Sequence, residues 1–260
     1  MFVALTSANG APGVSTTALG FALTHRRLCL VVEADPVGSS NVLAGYFRGS
    51  AAHTVGLIDL AVGHREGRLR EALDASVLQL PDTNTRVLPG LTHAVQADSV
   101  APLWAELGEQ LAAIARDNTD VIVDAGRIGA LHAPTPLIRQ ADVIAVLTRT
   151  SLPALAAVAS SIGVLQRDLA ATNSAASLGL VLIGDAPYGA KDATHATGLD
   201  VIATIADKAS HAAVFSHGAQ VNPRFLNNGG YLRSLTKAWK STETYALTHK
   251  PSWVENGGYQ

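Results

Sequence analysis

The chain has 260 residues, of which 48% are hydrophobic and 15% are charged, and its formal net charge is −2. This composition allows one sizeable α/β domain with a large core. The small net charge excludes a global attraction to nucleic acid or to an acidic membrane, and no sequence-specific nucleic-acid signal is present. The single cysteine, Cys29, excludes an intrachain disulfide and lies in an apolar run, which predicts a buried strand position.

The sequence predicts a cytoplasmic location. Residues 2–5 are apolar but are neither preceded by a basic segment nor followed by a long hydrophobic one, so we expect no secretory signal. The longest apolar stretch, about residues 152–165, is interrupted by polar residues and is shorter than the roughly 20 residues that a membrane span needs. Any membrane contact is expected to be peripheral, at the inner face.

Short apolar runs alternate with helical patterns, which is typical of βαβ units and a mainly parallel sheet. We therefore predict a three-layer αβα domain over residues 1–240, and a loose polar tail over residues 241–260. Apolar stripes at helical spacing predict core-packed helices over 16–26, 101–116 and 151–167. Strands are predicted near residues 2–7, 28–33, 86–88, 120–124, 142–148, 178–183 and 201–205.

A glycine-containing turn joins the first strand to the first helix. It reads Asn9-Gly-Ala-Pro-Gly-Val-Ser-Thr-Thr17 and continues into an apolar helix. Such a turn can present backbone N–H groups and a helix N-terminus to a phosphate. A simple tight connection between strand and helix would have a similar sequence.

This turn resembles the deviant Walker A motif Lys-Gly-Gly-x-Gly-Lys-Thr-Thr of the ParA/MinD-type P-loop ATPases. Aligned without a gap, Gly10, Gly13 and Thr16 match the motif. Ser15 keeps a hydroxyl group at the position of the family's magnesium ligand. The resemblance implies a P-loop NTPase fold that binds ATP or ADP with Mg²⁺.

The turn departs from the motif at three positions. Asn9 and Val14 replace the two family lysines, and Ala11 replaces a glycine. Without the second lysine, amide hydrogen bonds and the helix dipole remain to hold phosphate, so we expect hydrolysis to suffer more than binding. The nucleotide contacts that the resemblance implies are Asn9, Gly10, Ala11, Pro12, Gly13, Val14, Ser15 and Thr16.

Two further motifs resemble the family in the right order along the chain. The segment from Glu33 to Asn41 is similar to the Asp-x-Asp-Pro-x-Gly switch, which implies that Glu33 and Asp35 place the attacking water and that Asp35 also organises Mg²⁺. An Asp-Pro turn with a capping carboxylate is the simpler interpretation. The segment 119–129 resembles Walker B, which implies that Asp124 binds the magnesium shell together with Ser15.

The C-terminal half carries weaker signals of the same resemblance. Residues 178–187 look like the family strand that supplies an Asn or Asp near adenine, a role implied for Asp185. Residues 198–208 are similar to the stretch before the next helix, with Ala206 where a proline is common. Ala206 is therefore also expected to contact the nucleotide. The resemblance covers about residues 1–240.

Three functions stay open. The first is a positioning protein that binds nucleotide weakly, forms a homodimer and docks on a protein of a pilus or secretion apparatus, as the TadZ/CpaE subgroup with its eroded loop does. The second is a working ATPase of chromosome or plasmid partitioning in which Arg26, Arg27 or Arg127 replaces the missing lysines. The third is a protein-interaction scaffold without nucleotide.

Two other patterns receive the simpler interpretation. The nine histidines show no metal-ligand spacing. Residues 231–240 place apolar and basic side chains together, and we interpret them as a final helix packed on the sheet with solvated cations. A helix that binds a membrane surface or a partner is the alternative.

Overall fold

The computed structural model describes residues 1–9, 13–25, 27–37, 39–219 and 230–249. These residues form an eight-stranded sheet in the order β3-β4-β2-β5-β1-β6-β7-β8. Every neighbouring pair is parallel except β3 and β4, which are antiparallel. The strands are β1 Phe2–Ser7, β2 Cys29–Glu33, β3 Leu78–Gln79, β4 Thr85–Leu88, β5 Asp120–Arg127, β6 Val143–Arg149, β7 Ser177–Ile183 and β8 Val201–Ile205.

Ten α-helices and a π-helical turn at Val42–Tyr46 are present in the described part of the chain. The helices are α1 Val14–Thr24, α2 Leu57–Arg65, α3 Leu69–Ser76, α4 Ala97–Val100, α5 Trp104–Arg116, α6 Thr135–Ile138, α7 Leu152–Ala171, α8 Ala190–Thr197, α9 Ala209–His217 and α10 Tyr231–Thr248. Short 3₁₀ turns precede α4 and α5.

The sheet has an apolar layer on each face, which makes the predicted three-layer αβα architecture correct. One layer contains residues of α2, α3, α5, α7 and α8, and the other contains residues of α1, α9 and α10. Because both faces are covered, the central strands are continuous apolar runs, and every residue of β1 is buried. Cys29 is buried in β2, as predicted, and burial raises the pKa of its thiol.

All seven predicted strands are present, and their ends agree within three residues. The strand β3 was not predicted, because its two residues are too few to show an alternating pattern. The helices α2, α3, α8 and α9 were also not predicted. Their sequences are short and carry many polar residues, so the apolar stripe that defines a longer helix is weak.

Helix α10 continues eight residues beyond the predicted end of the domain. The loose tail predicted to begin at Ser241 is therefore wrong as far as Thr248, and residues 250–260 lie outside the described residues. Thr242 is fully buried, and its hydroxyl donates a hydrogen bond to the carbonyl of Ala238, which removes the penalty for burying it. Tyr245 packs against the same apolar layer.

Helix α7 contains the longest apolar stretch of the sequence and extends beyond it to a length of 20 residues. By length and composition alone this helix is able to cross a membrane. Its apolar stripe, which includes Leu155, Val158 and Ile162, is instead buried against the sheet. The stripe is that of a core helix, as the helical spacing predicted.

Candidate functional site

A cleft of about 680 Å³ lies at the carboxyl ends of β1, β2, β5, β6 and β8. This edge is where open parallel sheets bind ligands, because the strand-to-helix turns converge there. Residues from the first turn of α1, the loop after β2, the end of β5 and the start of α9 line it. Of the predicted site residues, the cleft lining includes Gly13, Val14, Ser15, Thr16, Asp35, Asp124 and Ala206.

The first turn of α1 presents its hydroxyl groups to this cleft. Gly13 precedes the helix with a φ of 95°, a left-handed conformation that side chains other than glycine rarely adopt. Val14 is 8% exposed and packs in the apolar layer below the cleft. Ser15 and Thr16 line the cleft wall. Gly10, Ala11 and Pro12, which were predicted to contact phosphate, lie outside the described residues.

Three oxygen- and nitrogen-bearing side chains join α1, β5 and the loop after β2. The Ser15 hydroxyl donates a hydrogen bond of 2.5 Å to Oδ2 of Asp124. The amide of Asn41 donates a hydrogen bond of 2.9 Å to the same Ser15 oxygen. The backbone N–H of Gly126 donates to Oδ1 of Asp124, at 3.1 Å. Ser15 and Asp124 therefore lie together, as the sequence predicted for two ligands of one cation.

The electrostatics of the site favour a bound cation. Burial raises the pKa of Asp124 to about 6, and the negative charge of Asp35 adds to this rise. The hydrogen bonds from Ser15 and Gly126 act in the opposite direction. A cation beside Asp124 would stabilise the ionised carboxylate that burial disfavours.

Asp35 lies against Gly126 at the same edge of the sheet. A Cβ atom on Gly126 would lie 2.5 Å from the carboxyl carbon of Asp35, so this close approach requires glycine. Gly126 also has a φ of 64°. Asp35 accepts a hydrogen bond from the backbone N–H of Val37, at 2.9 Å, and is half-buried. Its position places a second carboxylate near Asp124.

Glu33 is placed differently from Asp35. It is 4% exposed, and its carboxylate accepts hydrogen bonds from the Ser40 hydroxyl and from the backbone N–H of Val42, the latter at 2.9 Å. The N–H of Gly90 lies 3.4 Å from the same carboxylate. Glu33 therefore holds the loop after β2 to the sheet, and it is not among the described residues that line the cleft.

Burial raises the pKa of Glu33 to about 7. The hydrogen bonds from Ser40 and Val42 lower it, while the charge of Asp124 raises it further. Glu33 and Asp124 lie beside each other on the paired strands β2 and β5. Two buried carboxylates this close disfavour simultaneous ionisation.

Three arginine or lysine side chains are among the described residues that line the cleft. Arg127 is exposed and pairs with no carboxylate among the described residues. Arg149 forms an ion pair of 2.6 Å with Asp207, and Lys208 begins the turn into α9. Of the three arginines predicted as substitutes for the family lysines, only Arg127 has this position among the described residues.

The other two arginines do not reach the cleft. Arg27 precedes β2 and therefore lies at the opposite, amino-terminal edge of the sheet, where it forms ion pairs with Asp120 and Glu243. The prediction that Arg27 could replace a phosphate-binding lysine is wrong for this reason. Arg26 lies outside the described residues.

The other predicted nucleotide contacts lie in the cleft or beside it. Ala206 lines both the cleft and an adjoining cavity of about 670 Å³, and its backbone N–H donates to the Ser234 hydroxyl at 3.1 Å. Asp185 is exposed and lines the adjoining cavity only. Asn9 is half-buried and is absent from the described linings of both.

The residues present fit a magnesium ion held jointly with a phosphate. A serine hydroxyl and carboxylate oxygens are ligands that Mg²⁺ prefers, and its remaining positions are usually filled by water and substrate oxygens. No cluster of three His, Cys, Asp or Glu side chains able to hold a metal occurs in the described ranges. Ser15 and Asp124 therefore suit a cation whose remaining coordination positions are filled by water and by phosphate oxygens.

Among the cleft residues that sequence reasoning missed are Asn41, Arg149 and Lys208. The rule that ligands bind beyond the carboxyl ends of parallel strands could have found the two cations, since Arg149 ends β6 and Lys208 follows β8 closely. Asn41 lies in the switch-like segment, but nothing in its sequence context indicates a bond to Ser15.

The fold is that of the MinD- and ParA-type P-loop ATPases. MinD from Pyrococcus horikoshii, complexed with Mg-ADP, superposes with a TM-score of 0.70 at 15% identity over 94% of this chain and 96% of its own. Apo McdA from Cyanothece superposes with a TM-score of 0.70 at 18% identity, over 95% of this chain and 98% of its own. A chain of the MinC:MinD cell division protein complex of Aquifex aeolicus superposes with a TM-score of 0.70 at 12% identity, over 94% of this chain and 95% of its own.

These similarities concern the fold, because all the identities are below 20%. No protein-family model matches the sequence, and no curated protein matches it either. The chain covers nearly the whole length of each similar structure, so the shared fold includes the full αβα domain.

Proposed function

We propose that this chain is a positioning protein of the MinD/ParA type that binds ATP or ADP with Mg²⁺ and hydrolyses ATP slowly or not at all. The observation that carries the proposal is the pair formed by Ser15 and Asp124, 2.5 Å apart at the carboxyl edge of the sheet. This pair supplies a hydroxyl and a carboxylate to a cation where the turn into α1 meets the end of β5.

The magnesium side of the site is retained, whereas the phosphate side is weakened. Bound Mg²⁺ would neutralise phosphate charge. Ser15 and Asp124 would hold the ion, Asp35 would order its water shell, and the N-terminus of α1 would bind phosphate through backbone N–H groups. Val14 adds an apolar side chain where a lysine would stabilise the charge that develops during phosphoryl transfer. The protein is therefore expected to bind nucleotide better than it hydrolyses it.

Isothermal titration calorimetry with Mg-ADP and Mg-ATP tests this proposal. Wild type is expected to bind both at micromolar to millimolar concentration. Val14→Lys is expected to bind at least about tenfold more tightly, which corresponds to about 1.4 kcal/mol from a restored ammonium–phosphate interaction. Circular dichroism checks that the variant folds, because Val14 is buried.

The matched control is Val62→Lys, which adds the same charge on α2 at a valine that is 49% exposed. It should leave the affinity within about twofold of wild type. Absence of heat at millimolar nucleotide for both wild type and Val14→Lys would contradict the proposal and favour a scaffold without nucleotide.

A working ATPase is the second candidate, and Arg127 is the observation that favours it. Its guanidinium lies in the cleft without an ion-pair partner among the described residues, so it is free to contact a phosphate. Arg127→Ala should then reduce steady-state phosphate release at least tenfold. Arg65→Ala, which removes an exposed cation on α2, is the control. Phosphate release equal to buffer for wild type would exclude this candidate.

A more specific cellular role is inferred from the altered phosphate loop between β1 and α1. We propose that the protein acts in the cytoplasm, forms a homodimer and docks on a protein of a pilus or secretion apparatus, since the TadZ/CpaE-like subgroup combines an altered phosphate loop with that role. Light scattering with and without Mg-ATP tests the dimer: the mass should double with nucleotide in wild type, and Asp124→Ala should stay monomeric.

A further inference from the structure

The open edge of the sheet forms a groove remote from the Ser15–Asp124 pair. Among the described strands β8 pairs only with β7, so its outer edge lacks a strand neighbour. Helix α8 packs in the apolar layer on one face of the sheet, and α10 packs in the layer on the other face. The space between these two helices, about 1350 Å³ and floored by Asp200, Val201 and Ile202, is called the β8 groove here.

The walls of the β8 groove are strongly basic. Lys191 of α8 lines one wall, and Arg233, Lys237 and Lys240 of α10 line the other. All four side chains are exposed, and none forms an ion pair with a carboxylate of the described residues. The sole acidic side chain among the described lining residues is Asp200. This concentration of positive charge contrasts with the formal net charge of −2 for the whole chain.

The three cations of α10 lie on one face of the helix, because they are spaced four and three residues apart. Apolar side chains, including Leu232 of α10 and Ile202 of β8, line the same groove. The groove thus offers three features at once: an unpaired strand edge, an apolar floor and cations on both sides.

We propose that the β8 groove binds an acidic segment of a partner protein in extended conformation, which adds a strand to β8. An added strand would pair with the free N–H and C=O groups of β8, and alternate side chains would point toward the two helices. Glu or Asp side chains at those positions would meet Lys191 on one side and Lys237 or Lys240 on the other.

The size of the groove suits such a segment. Its lining along α10 extends from Leu232 to Thr248, which corresponds to about 24 Å at 1.5 Å per residue. An extended peptide of seven residues covers about 23 Å at 3.3 Å per residue. Duplex DNA or a membrane surface would meet the same cations, but neither can pair with the backbone of a recessed strand edge.

Fluorescence anisotropy with a labelled peptide of sequence Val-Glu-Glu-Val-Glu-Glu-Val, which places Glu on both faces of an extended strand, tests this proposal on the full chain. We expect saturable micromolar binding that weakens at least tenfold in 0.5 M salt. Lys237→Glu and Arg233→Glu should each weaken binding at least tenfold. Arg65→Glu, which makes the same charge change on α2, should change it less than twofold.

Two further peptides separate strand addition from plain charge attraction. A version with Lys in place of Glu should not bind. A version with alternate backbone nitrogens methylated, which keeps the charge but removes strand donors, should bind at least tenfold more weakly. Hydrogen exchange should show protection of β8 amides with the acidic peptide.

The proposal would be overturned by equal binding of the methylated peptide, by equal loss in Arg65→Glu, or by no peptide binding at millimolar concentration. It would also be overturned if duplex DNA or phosphatidylglycerol vesicles bind in a Lys237-dependent way while the acidic peptide does not. A dimer of the chain that Lys237→Glu disrupts, without any peptide binding, would assign the groove to a second copy.

Discussion

The hydroxyl of Ser15 lies 2.5 Å from Oδ2 of Asp124, so the first turn of α1 is joined directly to the end of β5. Two segments 109 residues apart in sequence are thereby held together at the carboxyl edge of the sheet. Asn41 donates to the same hydroxyl oxygen and brings the loop after β2 into this arrangement. Binding of a nucleotide is thus expected to be coupled to the position of that loop.

Ser15→Ala should weaken Mg-ADP binding about tenfold, or about 1.4 kcal/mol, because it removes one cation ligand and leaves Asp124 without its hydroxyl donor. Calorimetry in Mg²⁺ and in EDTA gives the measurement, and the loss should occur only with Mg²⁺. Ser15→Thr keeps the hydroxyl and should bind like wild type. Ser160→Ala, on the exposed face of α7, is the control. An equal loss in EDTA would mean that Ser15 acts on the loop and not through the metal.

Gly126→Ala should destabilise the fold by at least about 2 kcal/mol and displace Asp35. A side chain at its φ of 64° is strained by about 1–2 kcal/mol, and the new Cβ atom would lie 2.5 Å from the Asp35 carboxyl carbon. Gly129→Ala separates the two effects, since Gly129 has a φ of 72° with no atom within 4 Å. Urea unfolding should show that Gly129→Ala lowers the free energy of unfolding by about 1 kcal/mol. Equal losses in both variants would show that the approach of Asp35 adds nothing.

Sequence patterns predicted the sheet well because buried parallel strands are nearly continuous apolar runs. The same reasoning failed where one polar contact decides the structure. Thr242 and the residues near it looked like a tail, yet a hydrogen bond to a backbone carbonyl lets this hydroxyl be buried in α10. Hydrophobicity alone does not contain that information.

The positions of the candidate site residues could also be predicted only in part. Ser15 and Asp124 were singled out by their resemblance to two family motifs, and the structure brings their side chains together. Their role as cation ligands stays a prediction. The part of Glu33 in fixing the loop after β2 depends on three hydrogen bonds with residues up to 57 positions away, which no local pattern specifies. The error on Arg27 was avoidable, since a residue that precedes a parallel strand lies at the edge opposite to the ligand.

Glu33 should make the protein less stable as the pH rises from about 4.5 to about 7. Burial raises the pKa of Glu33 from its ordinary 4.5 to about 7, so in this range the folded protein holds a proton that the unfolded chain has released. The free energy of unfolding therefore falls with pH, by on the order of 3 kcal/mol for this group. Asp124, with a pKa of about 6, contributes a smaller change of the same sign.

Glu33→Gln should flatten this dependence, because an amide cannot ionise. Urea unfolding at pH 5 and pH 8 gives the free energy of unfolding at each pH. The difference between these two free energies should be smaller in Glu33→Gln than in wild type, but it should not disappear, since Asp124 remains. Glu109→Gln removes an exposed carboxylate of α5 and should leave the difference unchanged. A variant with the full wild-type difference would show that Glu33 is ionised in the folded protein at pH 5.

Asp120 should show the opposite dependence at the other edge of the sheet. It accepts a hydrogen bond of 2.7 Å from Arg27, and His25 and the N-terminal ammonium lie 3.1 and 3.0 Å away. Burial alone would raise the pKa of this carboxyl, but these donors outweigh burial and lower it below its ordinary 3.8. Its contribution to stability is complete above pH 3.8 and is lost as the pH falls through the lower folded-state value.

Asp120→Asn should therefore reduce the free energy of unfolding by about 1–3 kcal/mol at pH 7, the usual contribution of hydrogen bonds to a charged group. The difference in the free energy of unfolding between wild type and Asp120→Asn, measured by urea unfolding, should be smaller at pH 3 than at pH 7. Asp74→Asn removes the partner of Arg70 in an ion pair whose two side chains are both more than half exposed, and it should change stability by less than about 0.5 kcal/mol. A gap that stays constant from pH 7 to pH 3 would mean that Asp120 stabilises the fold by packing and not by its charge.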